Sequence, residues 1–377
     1  MIPFNKPYLT GKEAHYIYQA VYSGKISGNG AFTKKCQQFF EERWKFKKTL
    51  LTTSCTDALE MCALLIDVKP GDEIIVPSYT FVSTALAFVR QGAKIIFADS
   101  NDQNPNIDPY RIEALISKKT KAIVVVHYAG IACDMDKIMA IADKYDLIVI
   151  EDAAQAIDSY HNDRPLGTIG HLSTFSFHET KNVQCGEGGL LGINDEKYIE
   201  RSEIIWEKGT NRSKFFRGEI DKYGWVDIGS SFLPSDIIAA FLYAQLENLE
   251  DIQQRRREIW ENYYEKLKPL QEASLIQLPF IPDFATNNAH MFYLVTSRSE
   301  DRNKLIEKLK KDDILAVFHY LSLHKSAYYS PKYSGDHLKN ADTYTNRLLR
   351  LPLFYELSEK QQNKVINSVF EYYSTNL

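Results

Sequence analysis

Short apolar runs alternate with amphipathic segments over residues 48–152. Two of these runs, residues 123–126 and 147–150, are apolar at every position, so both faces of such a strand must be buried. Strands of this kind separated by helices indicate an α/β fold, in which a mostly parallel sheet is covered by helices on both faces. The pattern predicts strands at residues 48–53, 73–77, 93–99, 121–127 and 147–152, and helices at residues 54–66, 82–90, 107–117 and 135–144.

The rest of the chain continues this pattern and then changes to a second, smaller unit. The continuation comprises predicted strands at 173–177 and 189–193, a helix at 196–207, a polar and aromatic linker at 208–229, and a helical region from 237 to 267. The last part has predicted strands at 291–296 and 314–320 and helices at 301–311 and 359–373. We therefore expect a large domain at 1–250, including an N-terminal arm, and a small α+β domain at 251–377.

Composition narrows the class of protein. Apolar residues make up 44% of the chain and charged residues 25%, which is enough for a large core. The net charge of −4 argues against a general nucleic-acid binder, which would normally be basic. Five scattered cysteines form no CxxC pair, and the N-terminus has no apolar signal core. We expect a cytoplasmic protein with free thiols and, because the histidines lack ligand spacing, no metal site.

A carboxylate, a lysine and a glycine-rich segment lie close together between Glu151 and Gly189. Asp152 ends an apolar predicted strand, and ligands of open α/β sheets bind at such strand ends. Lys181 precedes the glycines and follows two phenylalanines, a context in which burial can keep its amine partly neutral. Such a lysine can hold an aldehyde cofactor, and the carboxylate can keep a pyridine nitrogen protonated. Taken singly, Lys181 indicates a surface charge and Asp152 a helix cap or ion pair, so only their combination favours a cofactor site.

The helix predicted to begin near Ser54 offers hydrogen-bond donors to a phosphate. Ser54, Cys55 and Thr56 supply backbone N–H groups and two hydroxyls at the helix start, and Ser176 adds another hydroxyl. Phe81 lies just past a predicted strand and can stack on a flat ring. The alternatives are simple capping by Ser54 or Thr56 and a place in the core for Phe81.

Four segments together resemble the DegT/DnrJ/EryC1/StrS family of sugar aminotransferases, which use pyridoxal 5′-phosphate on the type I aminotransferase fold. These segments are residues 77–81 (PSYTF), 151–156 (EDAAQA), 175–182 (FSFHETKN) and 186–189 (GEGG). The likeness covers nearly the whole chain, and the spacing of its functional residues is specific. It implies a mostly parallel sheet flanked by helices and a smaller C-terminal α+β domain.

The resemblance also implies a role for each site residue. Lys181 would hold the cofactor aldehyde and move the proton during transfer, and Asp152 would pair with the pyridinium nitrogen. Gln155 would contact the ring hydroxyl, and Phe81 would stack on the ring. The phosphate would be held by Ser54, Cys55, Thr56 and Ser176. Relatives that remove a hydroxyl carry histidine at the position of Lys181, so the lysine implies transamination rather than dehydration.

Two places depart from the family pattern. Many members have asparagine at the position of Ser231, where it reaches the phosphate bound by the neighbouring subunit, and serine has a shorter reach. Residues 182–185 form a shorter connection between Lys181 and the glycines than in the most similar subgroup. Shared active sites in a homodimer are nevertheless what the resemblance implies.

Within the family, several segments are similar to the subgroup that aminates dTDP-linked 4-keto-6-deoxy sugars for the enterobacterial common antigen. They are residues 1–5, 36–38, 207–213 and 227–231. The implied substrates are L-glutamate as amino donor and a nucleotide-linked keto sugar as acceptor. A family member that aminates C3 or uses a UDP-sugar is an alternative, as is a non-catalytic regulator with the same fold.

Cations and aromatic rings are interleaved in the linker over residues 208–222. Its five cations exceed its two acidic residues, Glu219 and Asp221. A nucleotide diphosphate requires cations, so this segment is a candidate substrate site, and a dimer interface is a candidate place for it. The proposed substrate-binding residues are Arg212, Lys214, Arg217 and Tyr223. A solvated loop is the alternative interpretation.

Overall fold

The computed structural model of the chain describes residues 1–375. Its largest sheet has seven strands in the order β1-β9-β8-β5-β4-β2-β3. A second sheet has four strands in the order β10-β11-β13-β12, and β6 and β7 form a small hairpin. The strands are β1 (Lys48–Thr52), β2 (Glu73–Pro77), β3 (Lys94–Ala98), β4 (Thr120–Val126), β5 (Ile148–Asp152), β6 (Tyr160–His161), β7 (Arg164–Pro165), β8 (Leu172–Ser176), β9 (Gly189–Ile193), β10 (Ile276–Gln277), β11 (Phe292–Thr296), β12 (Val317–Phe318) and β13 (Leu348–Leu351).

The large sheet is mostly parallel, as its apolar strands predicted. Strands β3, β2, β4, β5 and β8 run parallel, whereas β9 is antiparallel to both β8 and β1. Since β9 alone is reversed, the carboxyl ends of β1, β2, β4, β5 and β8 all lie at one edge of the sheet. The loops that follow these strands therefore meet at that edge.

Helices cover both faces of the large sheet and one face of the small one. They are α1 (Glu13–Tyr22), α2 (Ala31–Trp44), α3 (Cys55–Leu65), α4 (Ser83–Val89), α5 (Pro109–Ile112), α6 (Met135–Tyr145), α7 (Ile199–Trp206), α8 (Arg212–Phe216), α9 (Asp236–Leu246), α10 (Leu249–Glu272), α11 (Ser299–Lys311), α12 (Lys339–Arg347) and α13 (Glu359–Thr375). Several begin at side chains that cap free N–H groups: Ser54 accepts from Asp57, Asp134 from Lys137, and Ser235 from Ile238. None of the helices in the described part of the chain is both long and apolar enough to cross a membrane.

One face of the small sheet has a hydrophobic core that is separate from those around the large sheet. It joins α10, α11 and α13 to one face of the small sheet, and it includes Ile2 from the other end of the chain. Ile2 bridges to Ile314, its N–H donates to the carbonyl of Asp313, and its carbonyl accepts from Leu315. The predicted division into domains at residue 250 stays a prediction; α9 and α10 are separated there by Glu247 and Asn248 alone.

Several predicted elements are wrong in extent. The helix predicted at 107–117 is reduced to the short helix α5 and one 3₁₀ turn, Glu113–Leu115. Asp108 caps α5 and Pro109 is its first residue, and the backbone of Ile116 is extended, so the helix cannot continue past the 3₁₀ turn. The strand predicted at 314–320 shrinks to β12, since Tyr320 has a positive φ of 23° that no regular strand allows. Strand β13 and helix α12 were missed altogether.

Candidate active site

The strand ends of the large sheet bring together the residues of the predicted cofactor site. In the strand register Thr52, Gly189 and Ser176 lie in one row across β1, β9 and β8. Asp152 ends β5 and pairs with Thr174 of β8, two residues before Ser176. Lys181 follows in the loop after β8. The sequence motifs therefore converge at the edge where the loops meet.

The N-terminus of α3 lies directly against Gly189 at this edge. A Cβ atom at Gly189 would approach the carbonyl carbon of Ser54 to 2.3 Å and the amide nitrogen of Cys55 to 2.4 Å. The hydroxyl of Ser54 caps the helix, because it accepts a hydrogen bond from the amide of Asp57 at 3.1 Å. The alternative interpretation of Ser54 as a helix cap is therefore correct for its hydroxyl. The first-turn amides of Cys55 and Thr56 have no partner within the helix and remain available to an anion.

Asp152 is a buried carboxylate at the end of β5, with 5% of its surface exposed. Its Oδ2 accepts from the hydroxyl of Thr84 at 2.8 Å, and its Oδ1 accepts from the amide of Ala154 at 3.2 Å. Burial raises the pKa of Asp152, although these hydrogen bonds and the charge of Lys181 oppose the rise. A carboxylate in this state gains most from a cationic partner.

Lys181 is largely buried, which contradicts the reading of it as a solvated surface charge. Burial lowers the pKa of Lys181, while the charge of Asp152 opposes that change. Its Nζ donates no hydrogen bond to any residue of the described chain. Burial thus increases the share of neutral amine relative to a solvated lysine, and the neutral amine is the form that reacts with an aldehyde.

Gln155 and Phe81 are both neighbours of Tyr320. The side chain of Gln155 accepts from the amide of Ala129 at 2.7 Å and donates to the hydroxyl of Tyr320 at 2.9 Å. The ring of Phe81 is 6.1 Å from that of Tyr320, and Phe81 is 56% exposed, so it is not a core residue. Ala129 and Tyr320 both have positive φ angles, a strain that often marks functional sites.

Sequence reasoning missed two contributors to this site, Thr84 and Tyr320, and the buried network around Glu151 next to it. Thr84 lies on α4, and its hydroxyl reaches Asp152 from 68 residues away along the chain. Tyr320 comes from the second half of the chain, where no motif drew attention to it. Glu151 is fully buried next to Asp152 and accepts from His127 Nε2 at 2.9 Å and from three backbone amides, those of Gly167, Ile169 and Gly170. Of these residues, only Glu151 could have been found from the sequence, because a charged residue at the end of an apolar strand needs buried hydrogen-bond partners.

The structure does not bring the linker cations to this cluster within one chain. Arg212 pairs with Glu207 at 3.1 Å, Lys214 with Glu200 at 2.6 Å, and Arg217 with Glu203 at 2.8 Å. The excess charge counted along the linker is therefore offset by acidic residues before it. Tyr223 packs against Phe215, and Ser231 is exposed on the surface.

The comparisons with known proteins agree with this geometry. A model of the DegT/DnrJ/EryC1/StrS aminotransferase family matches residues 7–370. The chain belongs to this family. It is 32% identical over 380 residues to the spore coat polysaccharide biosynthesis protein SpsC of Bacillus subtilis, covering 98% of this chain and 96% of that protein. It is also 32% identical to the GDP-perosamine synthase of Escherichia coli O157:H7, covering 99% of both.

Solved structures of aminotransferases share the fold of this DegT/DnrJ/EryC1/StrS family member. The PLP form of the putative sugar aminotransferase Spr1654 from Streptococcus pneumoniae superposes with a TM-score of 0.90 at 26% identity, covering 100% of this chain and 99% of that one. The aminotransferase TlmJ from Streptoalloteichus hindustanus gives a TM-score of 0.91 at 26% identity, with coverage of 100% and 99%. The protein is thus a sugar aminotransferase whose cofactor is pyridoxal 5′-phosphate.

The residues at the sheet edge fit that cofactor. The unpartnered buried amine of Lys181 suits the aldehyde, the buried carboxylate of Asp152 suits the ring nitrogen, and the first turn of α3 beside Gly189 suits the phosphate. When bound, pyridoxal phosphate supplies an aldehyde that links to amines and a ring that withdraws electrons from the adjacent carbon.

Proposed function

We propose that the protein transfers the amino group of L-glutamate to a nucleotide-linked 4-keto-6-deoxy sugar. The acceptor would be dTDP-4-keto-6-deoxy-D-glucose and the product dTDP-4-amino-4,6-dideoxygalactose, for use in surface polysaccharide. The observation that carries the transaminase chemistry is the buried, unpartnered Lys181 at the same strand edge as Asp152. The choice of sugar is supported by the four segments similar to the dTDP-sugar subgroup.

The proposed roles follow from the environment of each group. Lys181 Nζ, whose pKa is lowered by burial, would accept the proton from the donor's α carbon and return it to the sugar carbon. Asp152 would hold the ring nitrogen protonated, and Thr84 would orient that carboxylate through the 2.8 Å hydrogen bond. Gln155 would contact the ring hydroxyl and Phe81 would stack on the ring. The amides of Cys55 and Thr56 and the hydroxyls of Ser54 and Ser176 would bind the phosphate.

We further propose a cytoplasmic homodimer in which each subunit completes the other's site. The support is a group of exposed apolar side chains that precede Ser231: Trp225 is 84% exposed, Val226 54% and Ile228 57%. Exposed apolar residues grouped in this way commonly mark an interface. Ser231 would then face the partner's phosphate, and Arg212, Lys214, Arg217 and Tyr223 would lie near the bound nucleotide sugar.

Relatives support a nucleotide sugar without deciding which one. One of them is named a GDP-perosamine synthase and another a spore coat polysaccharide biosynthesis protein. A C3-aminating or UDP-sugar transaminase of the family is therefore the nearest alternative, and a non-catalytic regulator of the same fold is the other.

The decisive experiment is a panel of dTDP-, UDP- and GDP-linked 3-keto and 4-keto sugars with L-glutamate as donor. The amino sugar formed is identified by mass spectrometry and NMR. Amination at C4 of the dTDP sugar is the expected result, whereas preference for another sugar would replace the proposed acceptor. Borohydride should also attach the cofactor to Lys181 in the wild type and not in Lys181→Ala, with Lys118→Ala, at an exposed lysine, as the matched control. A protein that takes up pyridoxal phosphate but aminates nothing would support the regulator.

A further inference from the structure

Arg350 lies on the face of the small sheet that turns toward the large one. Side chains alternate along β13, so Leu349 and Leu351 enter the core of the small unit while Leu348 joins the core around the large sheet. Arg350 shares the face of Leu348. Directly across β11 its partner is Tyr293, which also belongs to the core around the large sheet. Arg350 therefore occupies a position in β13 at which the alternating pattern predicts an apolar side chain.

The guanidinium of Arg350 has unused hydrogen-bond donors. Among the described residues its buried Nε has no partner, and one terminal nitrogen donates to the carbonyl of Phe318 at a long 3.4 Å. The ring of Phe4 lies 4.5 Å from the guanidinium carbon. Among the described residues no carboxylate pairs with it. By contrast, the buried Arg256 donates to the carbonyls of both Ala289 and His290. A guanidinium whose buried Nε has no acceptor among the described residues is suited to binding an anion.

Arg350 also lies close to the cofactor site. It lines a small cavity together with Thr180, the residue before Lys181, and with Phe4 and His290. Burial lowers the pKa of Lys181, and the charge of Arg350 lowers it further. Burial likewise lowers the pKa of Arg350, which the hydroxyls of Tyr128 and Tyr320 partly oppose. Tyr320 is the residue bonded to Gln155, so Arg350 stands on the side of the site that the small sheet covers.

We propose that Arg350 binds a carboxylate of the amino-acid donor. A guanidinium offers paired donors that match the two oxygens of a carboxylate, and this one is engaged by no acidic side chain among residues 1–374. Within the described part of the chain, Arg212, Lys214 and Arg217 each pair with a glutamate, whereas Arg350 pairs with no carboxylate. The inference rests on the proposed function, because it assigns the donor subsite of the same active site.

The test compares the two halves of the reaction in wild type, Arg350→Gln and Arg350→Lys holoenzymes. In the first half reaction, the absorbance of the bound cofactor reports its conversion by L-glutamate alone. In the second, the same absorbance reports the reverse reaction with the amino sugar alone. The KM for glutamate should rise roughly 10- to 150-fold in Arg350→Gln, the range for losing a hydrogen bond to a charged group, with partial recovery in Arg350→Lys. The KM for the nucleotide sugar should stay within about twofold. Arg298→Gln, which removes a surface arginine paired with Asp301, is the matched control.

Donor analogues and an unreactive ligand identify the carboxylate that is bound. 2-Aminopentanoate keeps only the α-carboxylate of glutamate, and 4-aminobutyrate keeps only the γ-carboxylate. If Arg350→Gln does not change the rate with one of these analogues, that analogue lacks the carboxylate that Arg350 binds. The dissociation constant of glutarate, measured by calorimetry, should rise in parallel with the KM for glutamate. Equal glutamate kinetics and glutarate affinity in wild type and Arg350→Gln would overturn the inference, as would a loss confined to the nucleotide sugar. A wild type that never reacts with glutamate would instead refute the proposed function.

Discussion

Replacing Gly189 with alanine tests the placement of the phosphate site. The glycine is not at a positive φ, so alanine meets no backbone strain and the effect is steric. The added Cβ would lie 2.3–2.4 Å from the backbone of Ser54 and Cys55, whereas ordinary contacts begin at 3.4 Å. The first turn of α3 must therefore move away from β9 by about 1 Å.

A shift of about 1 Å in the distance between donor and acceptor is enough to break a hydrogen bond. An amide 2.9 Å from a phosphate oxygen would move to nearly 4 Å, beyond the range of hydrogen bonding. Losing one bond to a charged group costs about 1.5–3 kcal/mol, so the dissociation constant for pyridoxal phosphate should rise roughly 10- to 150-fold. Overpacking should lower the free energy of unfolding of the apoprotein by about 1–3 kcal/mol.

The assay is a titration of apoprotein with pyridoxal phosphate, followed by absorbance, beside urea unfolding. Gly224→Ala is the matched control, because a Cβ at Gly224 would meet nothing within 4 Å and its φ is not positive. It should change neither quantity. If Gly189→Ala binds the cofactor as tightly as wild type while its unfolding free energy falls, the first turn of α3 does not hold the phosphate and that part of the reasoning is refuted.

Three further predictions concern the buried charges. In Lys181→Met apoprotein the pH dependence of the free energy of unfolding should change, because Lys181 has a lower pKa in the folded state than its unfolded value of about 10.5. As the pH rises between these two pKa values, the wild type should gain stability relative to the variant by up to about 1.4 kcal/mol per pH unit. A constant difference between the two proteins in urea melts at several pH values would contradict this. Thr84→Val removes a hydrogen bond that lowers the pKa of Asp152; the acid limb of the kcat/KM profile should move to higher pH, whereas an unmoved limb would show that Thr84 does not act through Asp152. Glu151→Gln should cost about 3 kcal/mol or more in urea unfolding, because an amide NH₂ would face backbone N–H groups, while the exposed Glu113→Gln should cost nothing measurable; equal losses would argue against the buried network.

The pattern of apolar runs predicted the large sheet well because its strands are buried on both faces. Such strands need little more than their own composition to be recognised, and the predicted strand end at Asp152 is the end of β5 in the structure. The small sheet was harder to predict. Strand β13 carries Arg350 between leucines, so its sequence resembles neither a continuous apolar run nor a clean alternation. Strand β12 is only two residues long, and what fixes it is pairing with β13 rather than any local signal.

Side-chain partners from distant parts of the chain were the other gap. The motifs located Lys181, Asp152 and Gln155, but nothing near them in sequence points to Thr84 or Tyr320, which reach them only after folding. The linker illustrates the opposite error. Counting charges over residues 208–222 suggested free cations, yet Glu200, Glu203 and Glu207 of the preceding helical region pair with three of them. Charge balance is a property of neighbours in space, which a window along the chain does not measure.

The pairing of Ile2 with Ile314 has a consequence for the order in which the chain can fold during synthesis. The first residues leave the ribosome more than three hundred residues before their partners, and Phe4 must wait longer still, for Leu353, whose amide donates to its carbonyl at 3.3 Å. The large sheet, whose last strand is Gly189–Ile193, can assemble in the meantime. The amino-terminal segment that packs against Arg350 can therefore take its place only after Leu353 has been synthesised, and the proposed donor subsite cannot form before then.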